Sequence, residues 1–196
     1  MDKEIIKTPK VKLKWPFLQS PDDRFNKDKP VYRVDLIFDP KDPGHKTFLN
    51  QRYKEYDAIE GSNQPFYYEE KDEETGHKTG MIGIKAKSVF APKLFDSKSQ
   101  LVDVELNVGN GTTARAALVV NPYYGIAGKT GMNFYLQAVQ IIDLVEYKGA
   151  SADFYGFEEE EGYEKKDVLD QEVADKADEI REKLENPDTP PEGLPF

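Results

Sequence analysis

The chain has 196 residues, with 27 basic and 37 acidic side chains, no Cys and two His. Zero Cys excludes disulfides and thiolate metal sites, and His45 and His77 alone are too few for a zinc site, so neither metal nor cofactor is expected. No apolar run approaches the roughly 18 residues of a membrane span, and Asp2-Lys3-Glu4 opens no signal peptide; an intracellular protein with no membrane partner is predicted.

The charge is concentrated at one end. Residues 151–196 hold 16 acidic and 5 basic side chains, a net of −11, whereas residues 1–150 hold 21 and 22. A near-neutral, aromatic-rich body of 1–150, large enough for one domain, therefore carries an acidic tail at 151–196 that ends on Leu194-Pro195-Phe196. That asymmetry suggests a nucleic-acid-binding domain whose tail competes with the ligand or recruits partners.

Along the body, residues 10–15 alternate with period two, Val11, Leu13 and Trp15 on one face and Lys10, Lys12 and Lys14 on the other. Residues 31–38 form a second predicted strand with Tyr32, Val34, Leu36 and Phe38 on one face. Asp42-Pro43 starts a helix, with Asp as N-cap; Phe48, Leu49, Arg52, Tyr53, Tyr56 and Ile59 follow at helical spacing, and Gly61 is the expected stop. Residues 61–80 read as a loop interrupted by Phe66-Tyr67-Tyr68, which are assigned to loop packing. Strands are predicted again at 82–87, with Lys85 and Lys87 outward, at 101–108, with Asp103, Glu105 and Asn107 outward, and at 113–120, where Arg115 is the one charge. Gly109-Asn110-Gly111 is a turn signal, Asn121-Pro122-Tyr123-Tyr124-Gly125 breaks the chain into a loop, and a last strand runs over 132–147. Several short strands, one helix and no regular βα alternation predict an all-β fold, a small closed barrel. In the tail, 158–161 is an acidic block. Leu169, Val173, Ala177, Ile180 and Leu184 then mark one face of an amphipathic helix near 167–185.

The lysine row at 10, 12 and 14 repeats every second residue, about 6.5–7 Å, close to the phosphate spacing of a single strand, so each ammonium could displace a counterion. The same row would also protect an edge strand from aggregation. Lys85, Lys87 and Arg115, with Arg33 and Lys129, extend the set into a shared basic groove. Tyr123 and Tyr124 are the stacking candidates, because a loop leaves them uncommitted to a core. Trp15, on the face of Val11 and Leu13, is assigned to the core in preference to stacking. No Ser has an evident His partner, and the hairpin glycines lack the Lys-Ser/Thr of a phosphate loop. No catalytic residue is expected and the protein is not read as an enzyme.

The segments Pro30-Val31-Tyr32-Arg33-Val34-Asp35-Leu36 with Lys41-Asp42-Pro43, Pro65-Phe66-Tyr67, Gly109-Asn110-Gly111 leading to Asn121-Pro122-Tyr123, the closing 136–146 strand and the acidic tail ending in Phe196 lie in one order along most of the chain. In that order the chain resembles the single-stranded DNA-binding proteins of short-tailed, autographivirus-type bacteriophages. The resemblance implies a five-stranded OB-fold barrel that binds single-stranded DNA without sequence preference in replication, recombination, repair and strand annealing. It also implies a homodimer in the host cell cytoplasm, and a tail whose Leu194, Pro195 and Phe196 contact the phage DNA polymerase and helicase-primase. Tyr123 matches the family's Pro-Tyr position, but Gly125 stands where members can carry a Trp, so either Tyr124 substitutes or the platform is smaller. Two other functions compete: an acidic DNA mimic that inhibits a host nuclease, and a Mg²⁺-dependent nuclease built on Asp103 and Glu105.

Overall fold

The computed structural model describes residues 4–24, 27–102 and 105–147. These belong to the first of two units, Met1–Gly149 and Ala150–Phe196, so the predicted tail helix, Leu194, Pro195, Phe196 and Asp103 lie outside the described residues.

The elements are β1 (Ile5–Lys7), β2 (Val11–Asp22), β3 (Val31–Phe38), α1 (Pro43–Asp57), β4 (Tyr68–Lys71), β5 (Lys78–Ser88), β6 (Lys93–Phe95), β7 (Thr113–Ile126) and β8 (Lys129–Asp143). Strands β2, β3, β5, β8 and β7 pair in that order, and β7 also pairs with β2, so five strands close on themselves. All of these pairings are antiparallel except β5 with β8. This is the OB-type barrel. The short strands β1, β4 and β6 are added to β7, β5 and β8.

Period two places the core. Val34, Leu36 and Phe38 of β3, Ile84 and Ala86 of β5, and Leu118 of β7 are completely buried, with Phe134 and Leu136 of β8 nearly so. Each large apolar side chain removed from water in this way stabilises the fold by about 1.5–3 kcal/mol. Ala114 and Ala116 are buried too, and small residues on one strand leave room for large ones across the barrel. The helix closes one end. Asp42 caps it by accepting the His45 N–H at 2.9 Å, and Pro43 fits the first turn, where no backbone donor is needed. Phe48 stacks on Phe38 with centroids 5.2 Å apart, and Tyr53 and Tyr56 meet Phe66, which reaches Phe134 at 6.0 Å. The buried Arg52 donates to Glu55 at 2.6 Å and lies over the Phe48 ring; burial lowers its pKa, and Glu55 offsets part of that fall. Among the described residues, no helix is long and apolar enough to cross a membrane.

Several elements depart from the sequence reading. The helix ends at Asp57, before Gly61, although Ile59 is still buried. Among the described residues of 101–108 no strand forms; two isolated bridges do, Phe95 with Leu101 and Val108 with Glu146. There the Val102 N–H donates to the Leu94 carbonyl and the Leu106 N–H to the Gln19 amide oxygen at 2.6 Å. Residues 61–80 are not all loop, since they contain β4 and the start of β5, and Tyr68 is a strand residue. Residues 121–125 do not break the chain. Strand β7 runs on through Pro122, opposite Met132, and Tyr123, opposite Gly131, to a hairpin tip. Neither β1 nor β2 reaches this stretch, and Pro is tolerated on such an edge. Strand β8 accordingly begins and ends earlier than 132–147.

Tyr68 and Gly83 face each other across β4 and β5, and a Cβ on Gly83 would stand 2.2 Å from the Tyr68 ring. The ring therefore lies in the space a side chain would fill. Gly83→Ala should destabilise the domain by about 1–3 kcal/mol in thermal or denaturant unfolding. The same change in a Tyr68→Ala background should cost less, because the two sites share one volume.

Candidate nucleic-acid interface

In a closed barrel the inward half of each strand is core and the outward half is surface, so the outward residues of β2, β3 and β5 lie side by side. Register fixes their neighbours: Lys14 is opposite Asp35, which is opposite Lys85, and Arg33 is opposite Lys87. Lys14, Trp15, Arg33, Asp35, Tyr68, Glu69, Lys71 and Lys85 line one open groove of about 400 Å³ on this face.

The groove is not a plain row of cations. Lys14 Nζ is 2.8 Å from Glu70 and 2.9 Å from Glu73, both on the β4–β5 hairpin. Desolvation lowers the Lys14 pKa, but the hydrogen bonds and charges of the two glutamates outweigh it and the net shift is upward. Desolvation likewise raises Glu70, but Lys14 and Thr79 prevail and hold it below its usual range. Asp35 is buried in the groove floor and accepts the Tyr68 hydroxyl at 2.7 Å. Burial, then the Asp35 contact, pushes the Tyr68 pKa up, so it is a donor at neutral pH. Lys85 Nζ lies 5.3 Å from the Tyr68 ring centroid. At the far end of β2, Asp22 is almost wholly buried and binds two guanidiniums, Arg24 at 2.8 Å and Arg33 at 2.8 Å. Both lie over the Phe17 ring, 4.6 and 5.4 Å from its centroid.

The predicted lysine row separates into three environments. Lys10 is exposed just before β2, and its carbonyl meets His45 Nε2 at 2.7 Å; because His45 Nδ1 accepts the Asp39 N–H, Nε2 carries the proton. Lys12 is exposed and donates to Thr113 Oγ1 at 2.8 Å. Lys14 is the half-buried ion-paired residue already described. Lys85 and Lys87 are exposed as expected. Arg115 lines a different groove of about 330 Å³ with Lys7, Phe95 and Gln140, which shares no residue with the first.

Tyr123, Tyr124 and Lys129 sit on the β7–β8 hairpin arm, not in a loop. Tyr123 is half-buried with its hydroxyl against Gly131, whereas Tyr124 is 63% exposed and Lys129 is exposed. The arm is strapped by the segment after α1. The Asn63 and Gln64 N–H groups both donate to the Thr130 carbonyl, and the Asn63 side chain bonds the Gly128 carbonyl at 3.1 Å and the Thr130 N–H at 3.0 Å.

Trp15 is the main correction. It is 42% exposed rather than core. Between the pairs Lys14–Asp35 and Phe17–Arg33, β2 uses one more residue than β3, a bulge that turns Trp15 off the inward face. Its φ is +52°, a conformation that costs a non-glycine residue about 1–2 kcal/mol. The sequence reading also missed Arg24, Tyr68 and Lys71, the last hidden inside an acidic run. Among the described residues, no group of three or more His, Cys, Asp or Glu could hold a metal ion.

No family model and no curated protein matches the chain. Solved structures do. The single-stranded DNA-binding protein gp2.5 of bacteriophage T7 is 21% identical, with 84% of this chain and 100% of that one covered, at a TM-score of 0.55. A C-terminal truncation of the single-stranded DNA-binding protein from bacteriophage Enc34 is 16% identical over 72% and 87%, at 0.59. The same Enc34 protein in complex with ssDNA is 17% identical over 74% and 89%, at 0.56. The resemblance to phage single-stranded DNA-binding proteins drawn from the sequence is borne out at the level of fold, the OB-type barrel.

The Asp22 cluster generates a pH prediction. The Arg24 hydrogen bond lowers the Asp22 pKa against desolvation, and Arg33 adds to the fall. Its contribution to stability should therefore be complete above the unfolded carboxylate value of about 3.9 and be lost as pH falls through the lower folded value. Asp22→Asn should lower the melting temperature at pH 7 and flatten its fall between pH 5 and 2, in calorimetric scans across pH.

Proposed function

We propose that the protein binds single-stranded DNA without sequence preference, through the outward face of β3 and β5 and the β7–β8 arm. One observation carries this reading: the exposed Lys85 and Lys87 stand in register with Asp35 and Arg33 beside a groove with aromatic walls, on an OB-type barrel. In such barrels the second and third strands and the loop between the last two form the oligonucleotide surface. Backbone contacts by exposed cations and stacking on rings suffice for binding that ignores sequence. The Enc34 protein in complex with ssDNA supports the choice of ligand. Lys12, Lys129 and Tyr124 extend the path, and Arg115, in its separate groove, does not join it.

The reading makes the protein a binder and not an enzyme, acting in phage DNA replication, recombination and annealing in the host cytoplasm as a homodimer. The acidic tail competes for the basic face, and Phe196, an apolar ring with a free carboxylate, docks on the DNA polymerase or helicase-primase. The acidic mimic is disfavoured by the near-neutral body, and the nuclease by the absence, among the described residues, of any group of three or more His, Cys, Asp or Glu able to hold a metal ion.

Anisotropy titrations with labelled oligo(dT) over a range of salt test this. If four to six phosphates are neutralised, the log–log slope should be roughly −3 to −4. Lys85→Ala with Lys87→Ala should make it shallower by about 1.4 units. An unchanged slope would remove those lysines from the path, and absence of binding at low salt would overturn the function.

Truncation after residue 150 should tighten binding at low salt, because it removes a −11 competitor held at high local concentration. Equal affinities in the same titration would assign the tail to partners alone.

A further inference from the structure

Trp15, the single Trp of the chain, is the wall between two grooves. On one side is the charged groove of Lys14, Arg33 and Lys85; on the other is a largely apolar groove of about 360 Å³ lined by Pro16, Phe17, Arg24, Val108 and Tyr147. The Tyr147 ring is 66% exposed and faces this second groove with Trp15. The ring is held outward against its own backbone preference. The bulge gives a bulky residue a positive φ, and Asn110 fixes the bulge by accepting the Trp15 N–H at 2.8 Å. The bulge thereby breaks the inward alternation of Val11 and Leu13.

We propose that the groove between Trp15 and Tyr147 is a nucleobase-stacking site, in which one base of a single strand lies on the Trp15 face. The site rests on the single-stranded DNA reading and deepens it. Three features select a base in a nucleotide chain over a plain apolar ligand. The walls are aromatic and flat. Lys14 Nζ, 5.9 Å from the Trp15 centroid, polarises the ring. Two guanidiniums anchored on the single Asp22 carboxylate line the grooves, Arg24 the apolar one and Arg33 the charged one, beside which the phosphates flanking the stacked base would run. The ligand class is therefore a single-stranded oligonucleotide, read by its π face and its phosphates and not by its base edges.

The test uses the full chain, with selective excitation of Trp15. Oligo(dT) should quench its emission, and an abasic deoxyribose-phosphate oligomer of the same length should bind more weakly and leave the emission nearly unchanged. Trp15→Ala should weaken oligo(dT) binding roughly 5- to 150-fold with the salt slope unaltered, since stacking releases no counterion. Trp15→Tyr should keep most of the affinity. A merely structural ring would instead lower the melting temperature of the alanine variant and leave its affinity alone. If the wild-type protein binds oligo(dT) without quenching and Trp15→Ala binds as tightly, the stacking site is overturned and the DNA-binding function stands. If the wild-type protein binds neither oligomer, both fall.

Discussion

The pairing of β7 with β8 is the constraint on which the rest of the molecule depends. Without it the sheet would be an open ribbon with two unpaired edges; with it, β2, β3, β5, β8 and β7 form a ring. Closure gives every strand an inside and an outside, and the inside is filled by residues such as Leu36, Ile84, Leu118 and Leu136. A slip of one residue would carry that whole set to the surface, so the core fixes the register. The register in turn places Lys85 against Asp35 and Lys87 against Arg33. The charges on the outer face are located by apolar packing on the inner one.

That outer face alternates in sign. Asp35 lies in the floor of the charged groove, Asp22 holds two arginines, and the β4–β5 hairpin sets Glu70 and Glu73 on Lys14. Each carboxylate lowers the local positive potential, and each fixes a long side chain that would otherwise lose rotamer entropy when a ligand arrives. On the proposed function the two effects oppose one another. A phosphate approaching Lys14 meets an ammonium already oriented and already neutralised, so the pair exchanges partners instead of adding one. Among the described residues the exposed Lys85 and Lys87 make no ion pair, so on the proposed function they are the stronger electrostatic contacts.

Where apolar alternation is unbroken, the sequence is a reliable guide. The residues of β3 and their inward face, the outward Lys85 and Lys87, the Asp42 cap with its helix, and the turn at 109–111 all stand where the pattern puts them. At 101–108 the same pattern misleads, because alternate burial needs only alternate packing and not a ladder partner. Trp15 was hidden for a different reason: one inserted residue reverses a face, and nothing in the local string marks the insertion. The Lys14–Glu70 pair is 56 residues apart, beyond any spacing argument. Arg115 shows the general limit. Period two separates inward from outward, but outward positions around a barrel point in many directions, and only closure says that Arg115 and Lys85 do not share a groove.

Two exposed aromatic residues, Trp15 and Tyr124, sit on backbone supported by an asparagine from a distant part of the chain. Asn110 accepts the Trp15 N–H at the bulge, where β2 departs from regular pairing with β3. Asn63 bonds the Gly128 carbonyl and the Thr130 N–H at the hairpin that carries Tyr124. A short amide side chain carries both an NH₂ donor group and a carbonyl acceptor, and so substitutes for the strand partner these irregular backbones lack. The result is two exposed rings on fixed supports: Trp15 on a strained bulge and Tyr124 on a strapped arm. On the proposed function rigid presentation lowers the ordering cost of binding, and the Asn110 bond to the Trp15 N–H offsets part of the strain at the bulge.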